Sequence, residues 1–209
     1  QIGTSCGLPV DPAMSPAEVV VDHLRQMLRI AHLVGSNSLH AFVGHKPDRL
    51  MGVPVEAHIE STIACCRAVR DLALELGVTI AIENHAGDLR ACELKALVEE
   101  AGPEYVGVCF DSGGTFASAA ESIFLALDYL APYVVQSHLR DSCVWEHPRG
   151  AAIQSVAIGD GSISFDAFAR RFVAECPRAS FTLEILTGSP PRVCNFLEAE
   201  FWEAYPQTP

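Results

Sequence analysis

Short apolar, β-favouring runs alternate with longer amphipathic ones along most of the chain. "QIGTSCG" (1–7) opens as a strand-like segment, and "SPAEVVVDHLRQMLRIAHLVG" (15–35) reads as a helix. Ser15 serves as its N-cap, Pro16 sits in the first turn, Glu18 completes a capping box and Gly35 ends it. Val20, Leu24, Leu28 and Ala31 recur at spacings of four and three, which gives the helix one apolar face. "NSLHAFVG" follows as a strand, then a helix from about Ala57 to Leu76 that Gly77 stops. Next come the strand "VTIAIEN", the helix "ACELKALVEEAG", the strand "YVGVCFD", the helix "ASAAESIFLALDYL" and the strand "YVVQSHLRD". The stretch from Ser142 to Gly161 reads as irregular, "SFDAFARRFVAEC" as the last crossover helix and "SFTLEIL" as the last strand.

Six strands separated by helices, with no hairpin signal between any pair, must run parallel, because a short hairpin is the cheap way to reverse direction. Near-continuous Val, Ile and Phe runs suit strands covered on both faces. Two architectures satisfy this pattern, a doubly wound sheet and a (β/α)8 barrel. The chain holds neither G-x-G-x-x-G nor G-x-x-x-x-G-K-[ST], so nothing specific supports a nucleotide-binding version of the first.

Composition narrows the function. Hydrophobic residues make up 49% and charged ones 19%, enough for a core and unlike a disordered chain. The 26 acidic residues against 14 Lys and Arg give a net charge of -12, and the basic residues are scattered. A nucleic-acid partner is therefore disfavoured, since binding phosphates needs a basic patch. Apolar runs such as "VTIAI" fall far below the roughly 20 residues that cross a bilayer, and no secretory signal is visible. The eight cysteines include no C-x-x-C pair, and several lie in apolar runs. That pattern suits buried thiols in a reducing cytoplasm.

The charges at the strand ends carry the chemistry. Glu83 ends "VTIAIEN", Asp111 ends "VGVCFD", His138 closes "VVQSHL" and Glu184 closes "SFTLEI". Taken singly, Asp111 can start a turn before "SGG", and His138 can be a core histidine with a partner. A carboxylate inside an apolar strand, as at Glu83 and Glu184, costs several kcal/mol unless it is paired or metal-bound. In parallel α/β folds the C-terminal strand edge is where sites form. One divalent metal on three carboxylates and an imidazole accounts for all four residues, with Mn²⁺ first and Mg²⁺, Co²⁺ or Zn²⁺ as alternatives.

"AIENHAG", "VGVCFDSGG", "VQSHLRDS", "VAIGDGSISF" and "FTLEIL" resemble successive blocks of the xylose-isomerase-like TIM barrels, the sugar phosphate isomerase/epimerase superfamily. The likeness runs over residues 16–186. It implies a (β/α)8 TIM barrel in one domain over 1–209, with 190–209 as a C-terminal tail. It also implies metal ligands Glu83, Asp111, His138 and Glu184, with Glu83 and Glu184 moving the proton of a sugar- or polyol-derived ketone through an enediolate. His85, His45, Arg140 and Arg192 are the candidate substrate-binding residues, and Arg140 with Asp141 would steady His138. Trp145 is assigned to packing or to a lid. Gly114 stands where epimerases and the related endonucleases often carry His, which weakens the ketose-epimerase assignment. A dehydratase or lyase of the inosose or 3-dehydroshikimate type, sharing the α-proton step, and a non-catalytic barrel subunit are the alternatives. If Glu184 lies on the eighth strand, about six of eight βα units are present. The expectation is then an N-terminally incomplete barrel in a homo-oligomer or beside a partner subunit.

Overall fold

The computed structural model describes residues 2–3, 16–44, 46–50, 52–85, 88–186 and 188–206 of the 209. Ser15 and His45, each given a role above, and the cysteine at position 6, Cys6, lie outside the described residues.

The central element is a parallel sheet in the order β1 (Ile2–Gly3), β2 (Ser38–Ala41), β3 (Thr79–Glu83), β4 (Val106–Asp111) and β5 (Val134–His138). All six residues of β4 are buried, as a strand covered on both faces requires. Leu39 pairs in register with Ile80, and Ile80 with Val106. The chain returns between strands through α1 (Pro16–Leu33), α2 (Val55–Arg67), α3 (Arg70–Leu76), α4 (Ala91–Ala101), α5 (Gly114–Ala119) and α6 (Ile123–Leu130). After β5 comes α7 (Phe165–Glu175). Leu28 of α1, Leu94 of α4, Leu127 of α6 and Phe172 of α7 share one core with Ile80 and Phe110 of the sheet. Phe110 stacks on Phe168 at 5.8 Å between ring centroids, which fixes α7 over the outer face of β4.

β4 separates β3 from β5 in the sheet, yet Glu83 and His138 touch across it. The sheet is therefore curled, with the side chains at its C-terminal edge converging inside the curve. This is the half-barrel of a TIM-barrel fold. The last segment of the curve differs from expectation. "SFTLEIL" does not form a full strand; one parallel bridge joins Leu139 to Leu183. Two backbone bonds hold it, Leu139 N–H to Thr182 O (2.7 Å) and Glu184 N–H to Leu139 O (3.0 Å). Among the described residues no further strand pairs with it, and Leu183 and Ile185 are 60% and 76% exposed.

The stretch read as irregular is a β-hairpin. β6 (Asp141–His147) and β7 (Gly150–Val156) pair antiparallel from Asp141–Val156 to His147–Gly150. β8 (Arg192–Cys194) adds antiparallel to β7, and α8 (Ala199–Ala204) closes the back of this sheet. Ile153, Cys194, Phe201 and Tyr205 form its own small core together with Ala119 of α5. Gly150 opens β7 at φ 144°, where an added Cβ would run into the Cys194 carbonyl oxygen. Gly150→Ala is expected to cost about 1–3 kcal/mol by forcing β8 away, read as a lowered midpoint in urea unfolding.

Two predicted helices are each broken in two. The helix expected over 57–76 ends at Arg67, and α3 restarts at Arg70, because Val69 leaves helical geometry (φ -117°, ψ 7°) to bury its side chain. The helix expected over "ASAAESIFLALDYL" breaks at Ala120, which sits at φ 55°. Ser122 then caps α6, accepting from Phe124 N–H at 3.3 Å. Gly77 ends α3 in the left-handed conformation at φ 64°, as its position after the helix predicts. The seven cysteines among the described residues are all free thiols. No helix among the described residues is long and apolar enough to cross a membrane.

Candidate active site

Three successive parallel strands, β3 to β5, each end in a polar side chain at the inner edge of the curve. Glu83 ends β3 and is 2% exposed. Asp111 ends β4 at 0%, and His138 ends β5 at 9%. β2 adds His40, also 9% exposed, which the sequence reading passed over. Its signal was the same one that marked the others, a polar residue late in the apolar strand "SLHAF".

Glu83 is the hub. Its Oε1 accepts from His138 Nδ1–H at 2.8 Å and its Oε2 from His40 Nε2–H at 2.8 Å. A carboxylate only accepts, so both ring nitrogens carry protons in these bonds. Burial works against the charge of Glu83, but the two histidine bonds outweigh it and hold its pKa down at about 2. Burial also works against protonation of His138, and the adjacent Glu83 carboxylate reverses that and raises its pKa. The two imidazoles lie 4.8 Å apart between ring centroids.

Asp111 faces a different partner. Arg140 Nε–H donates to Oδ1 at 2.8 Å, a second guanidinium nitrogen donates to Oδ2, and Gly113 N–H donates to Oδ1 at 2.8 Å. Arg140 follows His138 by two, so an extended chain places both on one face. Its Nε also lies 3.3 Å from Glu184 Oε2, close enough for an ion pair but without hydrogen-bond alignment. That Glu184 oxygen is buried and accepts no hydrogen bond among the described residues. Burial pushes the Glu184 pKa up, against the charge of Arg140.

The donor atoms of Glu83, His138 and Glu184 all lie within 4.8 Å of one another. His40, Cys109 and His138 form a second such group. Burial, reinforced by the charges of Glu83 and Asp111, keeps the Cys109 thiol protonated, so this group is the weaker candidate for a metal. The orphaned, buried oxygen of Glu184 beside an ionised Glu83 and an imidazole fits a divalent cation. Asp111 has both oxygens engaged by Arg140 and Gly113.

The other predicted residues are dispersed. His85 Nδ1 faces the Gly44 carbonyl oxygen at 3.0 Å, and its ring stacks on Phe42 at 4.3 Å. Asn84 ties β3 to β4, donating to Asp111 O at 2.9 Å and accepting from Asp111 N–H at 2.8 Å. Asp141 anchors the following loop rather than His138, accepting from Ser142, Gly159 and Gly161 N–H. Trp145 lies on β6 and is 44% exposed. Gly114 has a steric reason to lack a side chain, because a Cβ there would lie 2.6 Å from Asn84 O. Asp88, also missed, binds the loop after β2, accepting from Val43 N–H at 3.1 Å and Gly44 N–H at 3.3 Å.

Comparison with known proteins agrees with this architecture. The uncharacterised protein YihM of Escherichia coli K12 is 32% identical over 99 residues, which is 47% of this chain and 30% of YihM. The structure of an L-ribulose 3-epimerase superposes with a TM-score of 0.63 at 17% identity, covering 81% of this chain and 55% of that one. The structure of the IolI protein with a bound zinc atom superposes with a TM-score of 0.62 at 18% identity, covering 80% and 60%. The chain thus spans well under two thirds of the length of each of these proteins. The model of the xylose isomerase-like TIM barrels matches residues 2–199, and the chain belongs to that family.

Proposed function

We propose that this chain carries the site of a divalent-metal-dependent isomerase or epimerase acting on a sugar- or polyol-derived ketone. The observation that carries the reading is the convergence of Glu83, His138 and Glu184 at the C-terminal edge of the curled sheet, with donor atoms within 4.8 Å. The likeness in fold to an L-ribulose 3-epimerase and to a zinc-binding protein supports it. Glu83, His138 and Glu184 would hold the ion, His138 giving up its Nδ1 proton to do so. Asp111, the fourth residue of the expected set, would join by exchanging Arg140 for the ion. Mn²⁺, Mg²⁺, Co²⁺ and Zn²⁺ all suit an oxygen-rich set with one imidazole.

When bound, the ion supplies Lewis-acid stabilisation of charge on the substrate's carbonyl oxygen. The rest falls to the protein. Glu83 arrives from β3, and Glu184 from the segment bridged beyond β5, on the two flanks of β4 and β5. One group, ionised, can take the proton α to the carbonyl from one side while the other, protonated, gives its proton from the opposite side. His40 holds the other Glu83 oxygen, Oε2, and so fixes the carboxylate's orientation while His138 leaves Oε1. In the site as it stands, Arg140 lies between Asp111 and Glu184 and offsets their mutual repulsion.

Exchange of deuterium from D₂O into the α position of ketoses, followed by NMR over a panel of sugars, tests the reading. Glu184→Gln is expected to slow exchange by about 10²-fold or more. Exchange at the wild-type rate in that variant would refute the assigned role.

A further inference from the structure

A cavity of about 210 Å³ lies between α1, α2 and the outer face of the sheet. Its floor is aliphatic, made by Ala41 of β2, Val43 just beyond it, and Ile80 and Ile82 of β3. Side chains alternate along a strand, so Ala41 and Ile82 face away from His40 and Glu83, which meet inside the curve. The cavity is therefore separate from the candidate active site. Its roof is polar, made by His23 of α1 and by His58, Ser61 and Thr62 of α2. Ser61 is exposed, so the cavity opens to solvent along α2.

The two histidines set its chemistry. Nδ1 and Nε2 of His23 and Nε2 of His58 are buried, and none of the three has a hydrogen-bond partner among the described residues. The Thr62 hydroxyl does not serve them, because it donates to His58 O at 2.8 Å within the helix. Folded proteins satisfy nearly all buried polar atoms, since a donor or acceptor stripped of water and left unpaired is costly. An uncharged imidazole carries one N–H and one lone pair, so two rings lining one cavity offer both a donor and an acceptor. A hydroxyl group answers both, accepting from one ring and donating to the other. Water at the rings would still face four aliphatic side chains that give it no hydrogen bond. A hydrocarbon would cover that floor and leave the nitrogens unpaired. A molecule with an apolar ring and a hydroxyl suits both sides. The space is sufficient, since a protein cavity of roughly 150 Å³ holds benzene.

We propose that this cavity is a second binding site, which takes a small monocyclic phenol. Its hydroxyl lies between His23 and His58, and its ring rests on Ala41, Val43, Ile80 and Ile82. The site does not depend on the proposed metal centre.

Phenol and toluene differ only in a hydroxyl and a methyl of similar size. The test titrates each into the protein and follows the ring-proton NMR signals of His23 and His58. Wild type is expected to bind phenol more tightly than toluene, although phenol is the more water-soluble, and phenol should shift both rings. His23→Phe combined with His58→Phe keeps two rings and removes the nitrogens. In that variant the ratio of phenol to toluene affinity is expected to fall by about tenfold or more, the factor that one to two net hydrogen bonds supply. A wild type that binds toluene as tightly as phenol, or binds neither, would overturn the proposal. So would phenol that leaves both histidine signals unmoved, or an affinity ratio that survives the double substitution. The wild-type comparison stands whether or not the double variant folds.

Discussion

Glu83→Gln is expected to weaken divalent-metal binding by about 10–100-fold or more, read by competition with a chromogenic chelator. The amide is nearly isosteric, so the packing around a side chain only 2% exposed should survive. The electrostatics should not. Glu83 is ionised far below neutrality because His138 and His40 both donate to it, and the charge is the site's strongest attraction for a cation. The amide keeps one accepting oxygen and presents an NH₂ group to the other imidazole, which must then turn its lone pair inward. One ligand is lost and a second is reoriented by a single substitution. Unchanged metal affinity in Glu83→Gln would place the ion elsewhere.

Arg140→Ala is expected to destabilise the fold by about 3–5 kcal/mol, since it leaves Asp111 charged, fully buried and without its cation. At about 2–4 °C per kcal/mol for a chain of this size, the melting temperature should fall by roughly 6–20 °C. Gly113 N–H alone remains on the carboxylate, and Glu184 loses its positive neighbour as well. Adding Asp111→Asn to Arg140→Ala should recover part of the loss, because the buried charge is gone. A cost below about 1 kcal/mol for Arg140→Ala would mean that water or another cation reaches Asp111.

The parts of the fold that were legible share one property, local repetition. Buried strands such as "VGVCFD" and helices such as "ACELKALVEEAG" declare themselves through unbroken or periodic apolar positions. The breaks at Val69 and Ala120 do not, because each answers to packing against residues remote in the chain. The β6–β7 hairpin left a signal in Pro148 and Gly150 between two alternating runs, but the repeated strand–helix pattern outweighed it. At the site, the cost of a carboxylate in apolar surroundings pointed to Glu83 and Glu184 directly. His40 carries no such cost as a neutral ring, and so it passed as an ordinary strand residue. Which cation reaches Asp111 depends on how far the sheet curls, and no local pattern encodes that curvature.

The central claim is that Glu83, His138 and Glu184 form a metal site. Anomalous diffraction from crystals grown with Mn²⁺ or Zn²⁺, collected at that metal's absorption edge, measures it directly. The account predicts one strong peak enclosed by those three side chains. No peak there, or a peak displaced to Cys109 and His40, would contradict it.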